Sequence, residues 1–167
     1  NRIVKAPQAT GLCTKGTGFE SQGGITDRII AHYESLAKGG VGLIIAEAAV
    51  VDFPLGIINV PNITIYDDKF IPGLRELTER VHRHGAAIFV ELIHGGPVHP
   101  REILGQPIAA SSLPPAEMPI RDFDQAREVT LPEIKDIQLA FARAAQRAVE
   151  AGFDGVDIKA CHRYLLS

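Results

Sequence analysis

At 167 residues the chain has the length of one ordinary domain, and its 46% hydrophobic and 22% charged content marks it as folded rather than disordered. A net charge of −3 without a basic stripe excludes a nucleic-acid phosphate backbone as partner. The longest apolar stretch, "VGLIIA" ahead of Glu47, is far too short to span a bilayer, so no membrane partner is expected.

In chain order the first expected element is a strand in "NRIVKAP". Residues 26–38 then place Ile29, Ile30, Tyr33, Leu36 and Ala37 on one helix face, with Thr26 as the N-cap. Glycines close that helix and an apolar strand follows over 41–46. Between residues 68 and 84, Leu74, Leu77 and Val81 recur at helical spacing, Gly85 is the stop, and 86–92 form the next strand. The Pro-rich stretch 95–129 is longer than a usual βα loop and predicts a lid or surface excursion. Thr130 and Glu133 then spell a capping box, with Pro132 tolerated in the first turn. The helix they start is expected to bury Ile134, Ile137, Phe141, Ala144, Ala145 and Ala148. Gly152 ends it, and a last strand runs over 155–158.

The order β-α-β-α-β-α-β is that of an α/β fold with a parallel sheet and right-handed crossovers. Near-continuous apolar strands require cover on both faces of that sheet. No internal domain boundary is visible, and both ends read as cut through a larger unit.

Such folds put their chemistry at the carboxyl ends of the strands. Here those ends are Lys5-Ala6-Pro7-Gln8, Glu47-Ala48, Glu91 with His94, and Lys159 with Cys161 and His162. With strands about 4.8 Å apart, the two lysines and two glutamates are expected to form one charge-compensated network. The plainer account of that network is mutual neutralisation in a polar barrel mouth; ligand binding is the stronger one, because strand ends are where these folds bind. His32, His82, His84 and His99 are expected to be solvated, and His94 is ambiguous. No metal site is expected, since Glu91, His94 and His162 lack HxH or HExxH spacing. "TGLCTKGTG" has neither the order of a dinucleotide fingerprint nor a helix directly after it. Cys13 and Cys161 form no disulfide framework and fit a cytoplasmic location.

"NRIVKAP", "GGVGLIIAEAAVV", "VHRHGAAIFVELIHGG", the capping-box helix and "AGFDGVDIKACHRYLL" together resemble, in order, the Old Yellow Enzyme family of NADH:flavin oxidoreductases. That family also includes bacterial 2,4-dienoyl-CoA reductases. The resemblance covers essentially the whole chain. It implies a (β/α)8 TIM barrel carrying FMN, with residues 1–167 as the N-terminal half of that domain. It also implies NAD(P)H as reductant and an activated alkene, an enone or enoyl thioester, as acceptor.

Carried over residue by residue, Ala6, Pro7, Gln8 and Ala9 match the stretch that lies against the flavin. Ala9 stands where the family usually has a potential-tuning Thr or Cys. Ala48 matches the small residue close to the isoalloxazine, and Glu91 stands where a Gln normally meets the pyrimidine edge. Lys159 and His162 occupy the positions of the paired donors to the substrate carbonyl, Arg163 that of a glycine, and Tyr164 that of the proton donor. The rivals are a Schiff-base lyase using Lys159 and a non-catalytic half-barrel. Open sheet edges in a half-barrel are expected to drive self-association.

Overall fold

The computed structural model describes residues 1–14, 23–58, 61–99, 106–114 and 125–167. The glycine-rich stretch beyond Thr14 and parts of the 95–129 excursion lie outside them. In chain order the elements are β1 (Val4–Lys5), α1 (Asp27–Lys38), β2 (Leu43–Val50), β3 (Ile63–Thr64), α2 (Ile71–His82) and β4 (Ala87–Ile93), followed by β5 (Ile108–Ala109), β6 (Arg127–Glu128), α3 (Leu131–Glu150) and β7 (Gly155–Ile158). The main sheet has the order β1-β2-β4-β7, with β3 added on β2, and every pairing in it is parallel. β1, β2, β4 and β7 are the four strands expected from the sequence. β5 and β6 form a separate small sheet within the excursion.

Apolar periodicity explains the packing. Ile29, Ile30 and Tyr33 of α1, and Leu74, Leu77 and Val81 of α2, meet Ile44, Ala46, Ile88, Val90 and Leu92 of the sheet in one buried core. Gly85 and Gly152, read as helix stops, take φ of +75° and +87°, the left-handed conformation that ends a helix. A second apolar cluster lies at the carboxyl end of the sheet, where Ala48, Val50 and Ile93 pack with Ile57, Ile58 and Val98.

The capping box forms as read. Thr130 Oγ1 accepts from the Glu133 amide, and the Thr130 amide donates back to Glu133 at 2.8 Å. Arg127 donates to the same carboxylate at 2.9 Å. That guanidinium, then the Thr130 contacts, hold the Glu133 carboxyl down to about 2. A depressed carboxyl stabilises the fold fully above its ordinary value of 4.5, and that contribution is lost as pH falls through about 2. Thr130→Ala is expected to cost about 0.5–2 kcal/mol in urea unfolding at neutral pH. Glu133→Gln should flatten the stability profile between pH 4.5 and 2.

One expectation for α3 is corrected. Ala144 and Ala148 are buried, but Ile137, Phe141 and Ala145 are half-buried and Ile134 is exposed. Ile134, Ile137 and Phe141 line an apolar groove of about 460 Å³ against Ile158, Leu165 and Leu166. Periodicity marks an apolar face; it does not say whether a neighbour is there to cover it.

Candidate active site

Residues directly opposite in a parallel ladder share a face. The pairings Ala48 with Glu91 and Glu91 with Asp157 therefore put these three on the face turned away from the helices, near the carboxyl end. Lys159, two residues beyond Asp157, returns to that side. Its Nζ donates to both oxygens of Glu91, at 3.1 and 3.2 Å. Both side chains are nearly enclosed, Glu91 with 6% and Lys159 with 11% of its surface exposed. Burial of this kind demands a partner for each charge, and each supplies the other's.

Tyr164 lies beside this pair. Its ring centroid is 5.7 Å from Lys159 Nζ, and the His162 ring stands edge-on to it at 6.4 Å. Ala48 belongs to the apolar cluster against which Tyr164 packs. Burial pushes the Tyr164 phenol above its ordinary value, the Lys159 charge pulls it back, and Glu91 pushes it up again. The turn that delivers these rings is unusual. His162 and Arg163 have φ of 61° and 57°, and the Tyr164 amide closes the turn on Cys161 O at 3.4 Å. Left-handed backbone costs a non-glycine residue roughly 1–2 kcal/mol. One of the two strained positions, Arg163, is where the resemblance expects a glycine.

A second group lies toward β1. The β2 ladder shifts register between Ala46 and Ala48, which leaves Glu47 as an extra, bulged residue. Glu47 is not the strand end expected from the sequence: β2 continues to Val50, and the bulge turns this fully buried carboxylate aside. It accepts from the Thr10 amide at 2.9 Å, from Cys13 Sγ at 3.4 Å and from the Tyr33 hydroxyl at 3.4 Å. Burial, then the Glu47 charge, raises both the Cys13 thiol and the Tyr33 phenol. Glu47 thus ties the chain just after Ala6, Pro7, Gln8 and Ala9 to β2. The sequence signal was a charge inside the apolar run "LIIAEAAV", which must be bonded if buried.

The single four-charge network does not form. Glu91 and Lys159 pair, while Lys5 Nζ lies 5.4 Å over the Tyr33 ring, buried without a hydrogen-bond partner among the described residues. Lys5 pairs in register with Ile44, a core residue on the helix side, so its side chain leaves the site face. Burial lowers its pKa, with Glu47 and Glu91 acting in the opposite direction.

The histidines also depart from expectation. His99, expected to be solvated, is fully buried. His82 bonds Asp154 at 2.8 Å and His84 bonds Glu34 at 3.1 Å, both near the surface. His94, left ambiguous by sequence, is buried; its Nδ1 accepts from the Gly96 amide and its Nε2 lies 3.4 Å from Asp52. Among the described residues no cluster of three or more His, Cys, Asp or Glu could hold a metal ion.

Gly96 secures the turn bearing Tyr164. It has φ of +57°, and a Cβ there would stand 2.8 Å from Leu165 Cα and 2.9 Å from its amide nitrogen. Leu165 in turn donates to His94 O at 3.2 Å. Gly96→Ala is expected to cost about 1–3 kcal/mol in urea unfolding. Unchanged stability would mean the 161–166 turn is not held against β4.

A match to the NADH:flavin oxidoreductase / NADH oxidase family runs over residues 1–167. The chain belongs to that family. It is 39% identical to an NADH oxidase of Thermoanaerobacter brockii, over 99% of this chain and 24% of the relative. It is 36% identical to an NADPH dehydrogenase of Listeria monocytogenes serotype 4a, over 99% of this chain and 46% of the relative. An old yellow enzyme homologue from Zymomonas mobilis superposes with a TM-score of 0.81 at 30% identity, over 99% of this chain and 46% of that one. The chain therefore spans about a quarter to a half of the length of these relatives. The fold is that of the first part of their TIM barrel.

The residues present fit a flavin ring. Ala6, Ala9 and Ala48 are small, with Ala6, Gln8 and Ala9 exposed on the run beyond β1. β1 and β4 lie two strand spacings apart, about 10 Å, a gap that a flat multi-ring ligand spans. Glu91 supplies an acceptor and Lys159 a donor on the far side of that gap.

Proposed function

We propose that residues 1–167 are the first half of an FMN-binding barrel domain, completed by further strand–helix units, and that the complete protein reduces an activated alkene with NAD(P)H. The observation that carries this reading is the convergence of Glu91, Lys159, His162 and Tyr164 at the carboxyl ends of β4 and β7. FMN, when bound, supplies the hydride chemistry; the protein positions the reactants and manages charge and protons. Ala6, Pro7, Gln8, Ala9, Ala48 and Glu91 form the flavin side. His162 and Tyr164 face the substrate, one as a donor to its carbonyl oxygen and the other as a proton source. The relatives named NADH oxidase and NADPH dehydrogenase support the nicotinamide reductant.

The open groove between α3 and β7 supports completion of the barrel by more chain, because it is where the next unit of a (β/α)8 sheet packs. The lyase rival is weakened by the same geometry. A lysine whose Nζ donates to both oxygens of Glu91 is committed to hydrogen bonding rather than to attack on a carbonyl.

The test uses the complete protein under anaerobic conditions. Flavin absorbance should bleach on adding NAD(P)H and return on adding an enone or enoyl thioester. A colourless protein overturns the reading. A reduced flavin that oxygen reoxidises and no alkene does removes the alkene substrate and leaves an oxidase.

A further inference from the structure

We propose that Glu91 and Lys159 act as one unit that recognises the imide edge of the flavin, the carboxylate as acceptor and the ammonium as donor. Lys159 then serves the cofactor rather than the substrate. The inference rests on the flavin-binding reading above and assigns a role within that site.

The chemistry of the edge sets the requirement. An imide presents one N–H between two carbonyl oxygens, so its partner must both accept and donate. A glutamine does both with one amide; an ionised glutamate only accepts. Glu91 by itself would leave a flavin carbonyl facing a carboxylate. The structure places the missing donor on it, since Lys159 Nζ is 3.1 and 3.2 Å from the two Glu91 oxygens. An ammonium has three N–H groups and a carboxylate about four lone-pair positions, so the pair retains a donor and acceptors for a ligand. Its net charge is zero, like that of an amide.

Position and burial agree. Glu91 shares the site face with Ala48, its partner across the β2–β4 ladder. The amide of Lys159 donates to Leu92 O at 3.1 Å, which extends the β4–β7 pairing one step beyond Ile158 and fixes the root of the side chain. The Tyr164 ring lies 5.7 Å from Nζ, so the ammonium is held between an aromatic face and a carboxylate. A buried ion pair is a weak device for stability, because apolar replacements are often equally stable. Placed at a ligand-binding strand end, it has recognition as its better explanation.

The test compares the complete wild-type protein with Lys159→Met, Glu91→Gln and the double variant. Flavin affinity is read by fluorescence quenching and the reduction potential by dye-coupled titration. Lys159→Met should weaken flavin binding about tenfold or more and lower the potential, because a donor and a positive charge leave the reduced, anionic ring. Glu91→Gln should raise the potential, because Lys159 then stands uncompensated. The double variant restores a neutral amide and should bind flavin within about threefold of wild type, with the potential between those of the single variants. If a single variant unfolds, the folded double variant decides: retained flavin supports the unit, and lost flavin overturns it. A Lys159→Met protein with unchanged flavin affinity and potential but slowed alkene reduction assigns Lys159 to the substrate and overturns the inference. A wild-type protein without flavin overturns the functional reading and this inference together, a result distinct from the last.

Discussion

Tyr164→Phe in the complete protein will slow reoxidation of the flavin by an enone about 10²–10⁴-fold, the usual contribution of a positioned general acid. Flavin reduction by NAD(P)H should stay within a factor of a few. The phenol is held above its ordinary pKa chiefly by burial, so it keeps its proton at neutral pH. It lies on the turn where the chain leaves β7, packed against the Ala48 cluster and next to His162. Removing one oxygen deletes the proton and leaves that packing in place. Stopped-flow measurement of the two half-reactions checks this. Equal slowing of both, or of neither, takes the proton-donor role away from Tyr164.

Residues 1–167 produced by themselves will hold FMN weakly and self-associate. TIM barrels commonly build their phosphate site from the loops after the seventh and eighth strands and a short helix N-terminus. Among the described residues the main sheet has five strands, β1 to β4 and β7, so a flavin would keep ring contacts and lose that anchor. Each charge-assisted hydrogen bond lost is worth roughly 1.5–3 kcal/mol, and several together reduce affinity by orders of magnitude. Among the described residues the sheet ends in two open edges, β1 and β7. Ile3, Val4 and Ile158 at those edges are 60%, 53% and 48% exposed, and unpaired apolar edges invite pairing with another chain. Visible absorbance with light scattering reads both effects. A yellow, monodisperse monomer would show that these residues hold a complete site.

Much of this protein was determined by sequence alone, and the reasons are local. Helix α1 begins at the Thr26 cap and α3 at the Thr130 box because a hydroxyl three residues ahead of an unpaired amide satisfies it wherever the helix lies in space. The β-α alternation, the glycine stops and the last strand were legible because apolar period and backbone freedom are properties of neighbours in the chain. The candidate site residues were legible mainly through the resemblance, and their placement at strand ends through the fold class.

Tertiary structure decided how those residues are partnered. Glu47, Glu91, Lys5 and Lys159 are equivalent in a list of strand ends, yet a single bulge after Ala46 sends Glu47 to Thr10, Cys13 and Tyr33. Register sends Lys5 to the helix side beside Tyr33, and leaves Lys159 to Glu91. One residue of slip exchanges the two faces of a strand, and nothing in local composition records it. Burial followed the same rule: His99 and Ile134 changed places with expectation because cover comes from elements far away in sequence. Whether a charge is a solvated surface group or half of a buried pair depends on the strand beside it, and only the assembled sheet supplies that strand.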